Sequence, residues 1–181
     1  MKKLHWKRAL PYAPLAAVCI CFWLLRGRRM DALSLLLAGL LLVFGYLAAA
    51  EDLVRKRIPN PLVAAMLGAW VLVMVPQLFF HTEQALALLL SGAVGALMGG
   101  GLFLAVYAVS RGGLGGGDVK LMAASGLYLG FSGVLPTMLY GSVLAVLGAG
   151  VLLLLKRIGR KDTIPLAPFL YAGMVLTMLI G

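Results

Sequence analysis

Acidic, histidine and cysteine residues are all scarce in this chain of 181 residues. Six Asp and Glu residues stand against 16 Lys and Arg, with two histidines and two cysteines. A metal centre would need more of these ligands, and Cys19 and Cys21 lie in one apolar run without a second cysteine pair. A serine nucleophile is disfavoured too, because His5 and His81 lie outside the loops that carry the distinctive acidic residues. No metal, disulfide or cofactor is therefore expected.

Long apolar runs dominate the rest of the sequence. Hydrophobic residues make up 62% of the chain and the mean hydropathy is +1.02, which excludes an ordinary water-soluble domain. The net charge of +10 would suit nucleic acid, but the basic residues form short clusters at the ends of apolar runs. This pattern is typical of membrane topology signals and of contacts with anionic lipid. We expect a lipid bilayer as partner and no nucleic acid.

Charged residues divide the chain into about seven apolar segments, two of them short, when a span needs roughly 20 residues. The predicted fold is all-α, a polytopic bundle of transmembrane helices. A basic flank and an extra helix occupy residues 1–31, and six helices occupy residues 32–181. The boundary between the fifth and sixth helices is predicted at residues 132–136, which include Pro136. The segments are residues 9–25, 32–50, 61–80, 85–109, 119–133, 136–155 and 164–180.

The distribution of Lys and Arg predicts the orientation. The loop at residues 81–84 has no Lys or Arg and is placed outside. The other clusters mark cytoplasmic connections: Lys2, Lys3, Lys7, Arg8, Arg55, Lys56, Arg57, Arg111, Lys120, Lys156, Arg157, Arg160 and Lys161. Arg26, Arg28 and Arg29 violate this rule. Either the first segment spans the membrane against it, or that segment lies along the interface and six spans remain.

Two loops at the membrane edge carry an aspartate. Five glycines from Gly112 to Gly117 precede Asp118, and Asp52 precedes a basic cluster. Asp118 is either the N-cap of the next helix in a solvated loop or a functional residue, since ionisable groups at a membrane segment are costly. The predicted topology puts both aspartates at one face, although 66 residues separate them.

Two neighbouring carboxyl groups are the catalytic groups that an aspartyl protease requires. They cannot easily both ionise, so they share one proton. One then acts as a base toward water, and the other donates a proton to the developing oxyanion. The pair titrates as a unit.

The two loops resemble the motifs of the type IV prepilin peptidases, a family of GxGD-type aspartyl intramembrane proteases. Residues 115–121 are similar to the GxGD motif, residues 52–60 to the first aspartate motif, and residues 164–169 to the start of the family's closing helix. The resemblance covers roughly residues 35–175. It implies a six-helix catalytic core in which Asp52 and Asp118 are the catalytic pair. Residues expected to support the loops and the substrate are Gly115, Gly116, Gly117, Lys120, Ile58, Pro59 and Asn60.

The resemblance also implies a substrate and a location. The substrates are leader peptides of type IV prepilins or pseudopilins, cut at the cytoplasmic face of the inner membrane. Larger bacterial members also carry a cytosolic cysteine-bearing domain and methylate the new N-terminus. The loops predicted here reach only about ten residues, so this chain is more similar to the compact, peptidase-only branch, and methyltransferase activity is not expected. The oligomeric state stays open.

Charged and capping residues near the motifs have simpler interpretations. Glu51 is expected at the headgroup level rather than as a third catalytic acid, because successive helical residues point about 100° apart. Arg55, Lys56 and Arg57 are expected to anchor in lipid or, alternatively, to contact substrate. Lys120 either stabilises the acidic pair or marks the interface. Caps are predicted at Asp31, Asp162 and Asn60.

Two other functions compete. A small transporter or channel would use the aspartates to bind a cation or relay protons, but inverted repeats and charges near the bilayer centre are not evident. The second is a catalytically silent assembly factor of a pilus or secretion system.

Overall fold

A computed structural model describes residues 13–27, 30–110, 113–156 and 164–180. Within these ranges the chain is helical, without strands. Six helices follow in order: α1 (Ala13–Arg26), α2 (Ala32–Arg55), α3 (Asn60–Phe80), α4 (Thr82–Val109), α5 (Gly116–Leu154) and α6 (Ala167–Ile180). The residues discussed above that lie outside the described ranges are Lys2, Lys3, His5, Lys7, Arg8, Arg28, Arg29, Arg111, Gly112, Arg157, Arg160, Lys161 and Asp162.

Four helices, α2 to α5, are long and apolar enough to cross a membrane. Helix α6 is shorter, with 14 residues, but equally apolar. Large apolar side chains such as Leu97, Val109 and Leu154 are exposed on the bundle surface, as expected where lipid replaces water. The predicted all-α membrane bundle is therefore confirmed.

Helix α5 is two helical arms joined at Gly130. Its 39 residues would extend about 58 Å if straight, roughly twice the hydrocarbon thickness. Gly130 adopts φ 65° and ψ −175°, a conformation open to glycine but strained for other residues. Met122 before the break and Val134 after it both lie beside Gly99 of α4. The chain therefore reverses, and the two arms count as separate segments of the predicted seven.

The predicted boundary at residues 132–136 is wrong. Pro136 lies inside the second arm of α5, and the break falls at Gly130. The backbone N–H of Phe131, freed by the break, donates to Ser91 Oγ at 3.2 Å. A side chain from α4 therefore gives the freed N–H a hydrogen-bond partner. The sequence has glycines at both 130 and 133 and does not by itself select Gly130.

Helices α4 and α5 pack by direct approach of their backbones. A Cβ on Gly95 would meet the Gly126 carbonyl oxygen and would lie 2.7 Å from the Gly130 backbone, and one on Gly99 would lie 2.8 Å from the Met122 carbonyl oxygen. Glycines at spacing four, Gly95 with Gly99 and Gly126 with Gly130, leave room for this close approach.

Helix α6 packs between α2 and the second arm of α5. The Thr137 hydroxyl donates to the Thr177 hydroxyl at 2.9 Å, and the rings of Tyr46 and Tyr171 meet edge to face with centroids 5.9 Å apart. Helix α1 adds Phe22 to a cluster with Ala38 and Leu42 of α2. These contacts bring the start of α6 next to the end of α2, where the first aspartate lies.

Candidate active site

Asp52 lies in the last turn of α2. The helix ends at Lys56, which adopts the left-handed conformation with φ 51° and whose N–H donates to the Asp52 carbonyl at 2.8 Å. This tight end returns the chain toward α3 and buries Ile58 behind it. The Asp52 side chain is only 6% exposed.

Asp118 lies in the first turn of α5. The N-cap is Gly115, whose carbonyl accepts the Asp118 N–H at 3.1 Å. The alternative that Asp118 is itself the N-cap is therefore wrong. The carboxyl turns back toward Gly115, where an added Cβ would lie 3.0 Å from Oδ2, and it is 8% exposed.

The two aspartates line one cavity of about 290 Å³. They come from the end of α2 and the start of α5, so the helices join them at one end of the bundle, as the predicted topology requires. Burying two carboxyl groups is costly unless they are paired or hydrogen-bonded, so their joint burial points to a functional use. The lining residues are Asp52, Lys56, Arg57, Ile58, Asn60, Gly115, Gly116, Gly117, Asp118 and Lys120. Of the predicted site residues, Pro59 does not line the cavity.

The two carboxyl groups have different surroundings. Asp52 Oδ2 accepts a hydrogen bond from the backbone N–H of Ala167, at the first residue of α6, at 3.0 Å. Asp118 Oδ1 is buried, and among the described residues it has no hydrogen-bond partner. The contact from Ala167 was not predicted, although residues 164–169 were noted, because a backbone amide leaves no signature in the sequence.

Lys120 in the second turn of α5 and Asn60 at the start of α3 are joined by a hydrogen bond. The Lys120 ammonium donates to Asn60 Oδ1 at 2.9 Å. The prediction that Asn60 caps α3 is wrong: the N-cap is Pro59, without a side-chain cap bond, and Asn60 is the first helical residue. Neither interpretation of Lys120 included this bond, which ties the start of α3 to the start of α5.

The basic residues after Asp52 divide into two groups. Arg55 is exposed and pairs with Glu51, with Nε 3.2 Å from Oε2. Lys56 and Arg57 line the cavity instead. Anchoring in lipid alone does not explain this position.

Other predicted positions have clear outcomes. The N-cap at Asp31 is confirmed, since its Oδ2 accepts the Ser34 N–H at 3.1 Å. His81 follows the end of α3, about 30 Å along that helix from Asn60 in the cavity. In the described part of the chain, no three His, Cys, Asp or Glu side chains are grouped to hold a metal ion.

Fold and site together define a class. Several helices are long and apolar enough to cross a membrane. Two buried carboxyl groups share one cavity at an end of the bundle. The chain is therefore a multi-pass membrane protein with a two-carboxyl site. The profile of the type IV leader peptidase family matches residues 35–151. The chain belongs to this family.

Two curated relatives agree with the assignment. The chain is 29% identical over 179 residues to the prepilin leader peptidase/N-methyltransferase of Bacillus subtilis, covering 94% of this chain and 66% of the relative. It is 30% identical over 127 residues to the protein of the same name from Xanthomonas campestris pv. campestris, covering 69% of this chain and 43% of the relative. The chain therefore spans less than two thirds of the length of these relatives. No solved structure matches it.

Proposed function

We propose that this chain is an aspartyl endopeptidase that removes the leader peptide of type IV prepilins or pseudopilins. The observation that carries the proposal is the shared cavity of Asp52 and Asp118, two buried carboxyl groups from distant parts of the sequence. Membership of the leader peptidase family and the names of the two relatives support this class of reaction and substrate.

In the proposed reaction the pair holds one proton and one water. The ionised carboxylate takes a proton from the water. At the same time, the water oxygen forms a bond to the scissile carbonyl carbon. The protonated carboxyl donates to the developing oxyanion. The C–N bond then breaks, and a proton passes to the leaving amine. Because the proposed reaction needs one ionised and one protonated carboxyl group, kcat/KM should fall at both acid and alkaline pH.

The glycines after residue 114 suit a peptide substrate. Gly115 and Gly116 are exposed at the cavity and present no side chains, so an extended backbone can approach them closely. Gly117 faces inward, where an added Cβ would lie 3.1 Å from Ile58 Cβ. The exposed glycines would receive the substrate while Gly117 closes the floor against Ile58.

We further propose that the cavity faces the cytoplasm from the inner membrane. Lys56, Arg57 and Lys120 surround it, and Lys156 follows the arm of α5 that returns toward the same end. Lys and Arg enriched at one end of a bundle favour the cytoplasmic side.

The proposal does not include methylation of the cleaved product by this chain. The two relatives carry N-methyltransferase in their names, so the product should be tested directly. Intact-mass analysis of a cleaved prepilin separates the two cases, because N-methylation adds one methyl group to the mass expected from leader removal alone. Unmodified product is the expected result.

The test of the peptidase proposal is co-expression with a candidate prepilin in a host without its own prepilin peptidase. Leader removal is read from the mass of the pilin. The native chain should cleave, while Asp52→Asn and Asp118→Asn, which remove the ionisable protons but keep the side-chain shape, should not. Asp31→Asn is the matched control, since it changes an aspartate outside the cavity and Asn also caps helices well. Cleavage by both cavity variants would reject the proposal.

A further inference from the structure

A second, larger cavity lies at the other end of the bundle. Its volume is about 540 Å³, within the range of pockets that hold small ligands. Among the residues that the structure describes, most of its wall is apolar, with a few hydroxyl groups and one cation. The lining residues are Arg26, Met30, Ser34, Leu37, Ala38, Leu88, Tyr128, Leu129, Ser132, Gly133, Pro136, Tyr140, Thr177, Met178 and Ile180.

The position of this cavity follows from the helices that form it. Ser34 lies near the start of α2, and Asp52 lies near its end. Their separation of 18 positions corresponds to about 27 Å along the helix, close to the thickness of a hydrocarbon core. Gly130, at the break of α5, and Ile180, at the end of α6, lie at the same end as Ser34. The cavity therefore lies at the membrane face opposite the candidate active site.

Arg26 is the charged group among the described residues that line this cavity. Its Nε and Nη2 donate to the Leu179 carbonyl, at 3.4 and 3.2 Å. A guanidinium carries five N–H donors in a planar fork, and one carbonyl oxygen cannot accept all of them. A phosphate oxygen is the acceptor that best matches the donors that remain. Arg26 is also one of the three basic residues that violate the Lys/Arg topology rule, and a local anion would explain its presence at this face.

We propose that this cavity binds one anionic phospholipid. The phosphate lies against Arg26, and one acyl chain enters between the apolar side chains of α2, α4 and α5, such as Leu37, Leu88 and Leu129. Charge complementarity and the position at a membrane face favour a lipid over other amphiphiles. The site does not depend on the proposed peptidase activity.

The experiment uses the full chain, purified in detergent and exchanged with defined lipids, and native mass spectrometry as readout. Phosphatidylglycerol and phosphatidylcholine with the same acyl chains are compared, and inorganic phosphate is added as a competitor. We expect one tightly held phosphatidylglycerol, weaker phosphatidylcholine and little displacement by phosphate, because the acyl chain contributes to binding. Displacement by millimolar phosphate alone, or equal retention of the two lipids, would contradict the proposal.

Two variants test the two halves of the site. Arg26→Gln should weaken phosphatidylglycerol binding about tenfold, the loss expected for one charge-assisted contact, and Arg26→Lys should recover part of it. Ser132→Phe, at an exposed position on the cavity wall, should obstruct the acyl chain and weaken both lipids. Since Arg26 also binds the end of α6, Ser132→Phe keeps the test valid if Arg26→Gln unfolds.

Matched controls use residues outside the cavity lining. Arg55→Gln removes one exposed cation at the opposite end, and Ser142→Phe adds the same bulk at an exposed position of the same arm of α5. Both should retain the lipid. Unchanged retention in Arg26→Gln and Ser132→Phe would overturn the proposal. The proposal would also be overturned if a prepilin peptide displaced the lipid in proportion to its own binding, because the cavity would then be a binding site for the substrate.

Discussion

At the scale of single residues, the contact between Ala167 and Asp52 links two distant parts of the chain. The first backbone N–H of α6 donates to a carboxyl oxygen 115 positions earlier in the sequence, in a buried environment. The first N–H groups of a helix have no partner within the helix, and a carboxylate is a favoured acceptor for them. The closing helix therefore orients one member of the acidic pair.

Replacing Ala167 by proline tests this orienting role. Proline lacks the N–H but is tolerated in the first turn of a helix. We expect Ala167→Pro to lower kcat by about tenfold or more, as for other groups that orient a catalytic side chain, with a smaller change in KM. Ala167→Gly keeps the N–H and is the control. Equal kcat values in the two variants, measured on a prepilin substrate, would mean that the hydrogen bond does not position Asp52.

The bond between Lys120 and Asn60 gives a second prediction at this scale. Because it is exposed, its net contribution to stability should be only about 1 kcal/mol. Lys120→Met and Asn60→Ala should each lower the unfolding midpoint slightly, and the double variant should cost little more than either alone. Unfolding midpoints in detergent measure this. Fully additive costs would show that the two side chains act separately.

Residue identity predicted the aspartates and their loops, but not all their partners. Asp52 and Asp118 could be found because acidic residues are scarce and each lies beside a recognisable motif. Asn60 was assigned as a cap on its local sequence, yet its side-chain oxygen accepts a hydrogen bond from Lys120 of the distant helix α5. The partner of Asp52 is a main-chain group of an alanine, which any residue except proline could supply.

At the scale of helices, the glycine contact between α4 and α5 sets their separation. Gly95→Ala would place a Cβ against the backbone of Gly126 and Gly130, which cannot move without separating the two helices. We expect a loss of about 3 kcal/mol, at the upper end for overpacking, read as a lower unfolding midpoint. Gly101→Ala, in the same helix, meets nothing within 4 Å and should stabilise by up to about 1 kcal/mol. Equal midpoints for the two variants would contradict this packing.

The extents of α3 and α4 follow the predicted apolar segments closely. Helix α2 runs five residues beyond its predicted end at residue 50 and includes Asp52, which was predicted in a loop, and α5 differs more. Proline was the strongest local signal between the fifth and sixth segments, and it favoured a break near Pro136. In the structure Pro136 lies within a helix, which membrane helices tolerate when neighbours satisfy the backbone. The break occurs where Ser91 of α4 accepts the freed N–H, a tertiary contact that a local pattern does not contain.

At the scale of the whole molecule, the predicted orientation in the membrane can be tested by thiol labelling. His81, between α3 and α4, and Lys156, after α5, are both exposed, and the proposal assigns them to opposite sides of the membrane. In a background with Cys19→Ser and Cys21→Ser, a cysteine at His81 should react with an impermeant thiol reagent in intact cells. A cysteine at Lys156 should react only after the membrane is opened. The reverse pattern would place the acidic cavity outside the cytoplasm.

The convergence of the acidic pair could be predicted from charge distribution and the number of spans, without any contact information. The size of the cavity, the contribution of α6 and the second cavity at the other end could not, because they depend on how α2, α5 and α6 pack. The structure therefore agrees with the predicted topology in placing Asp52 and Asp118 at one end of the bundle.

The most direct test measures the cleavage rates of the chain and of three variants in defined lipid vesicles: Asp52→Asn, Asp118→Asn and the double substitution. If the two carboxyl groups act as one unit, each single substitution should lower the rate by about 10³-fold or more, and the double substitution should lower it no further. A double variant whose loss is the product of two modest single losses, or a single variant that keeps most of the activity, would contradict a shared catalytic role for Asp52 and Asp118.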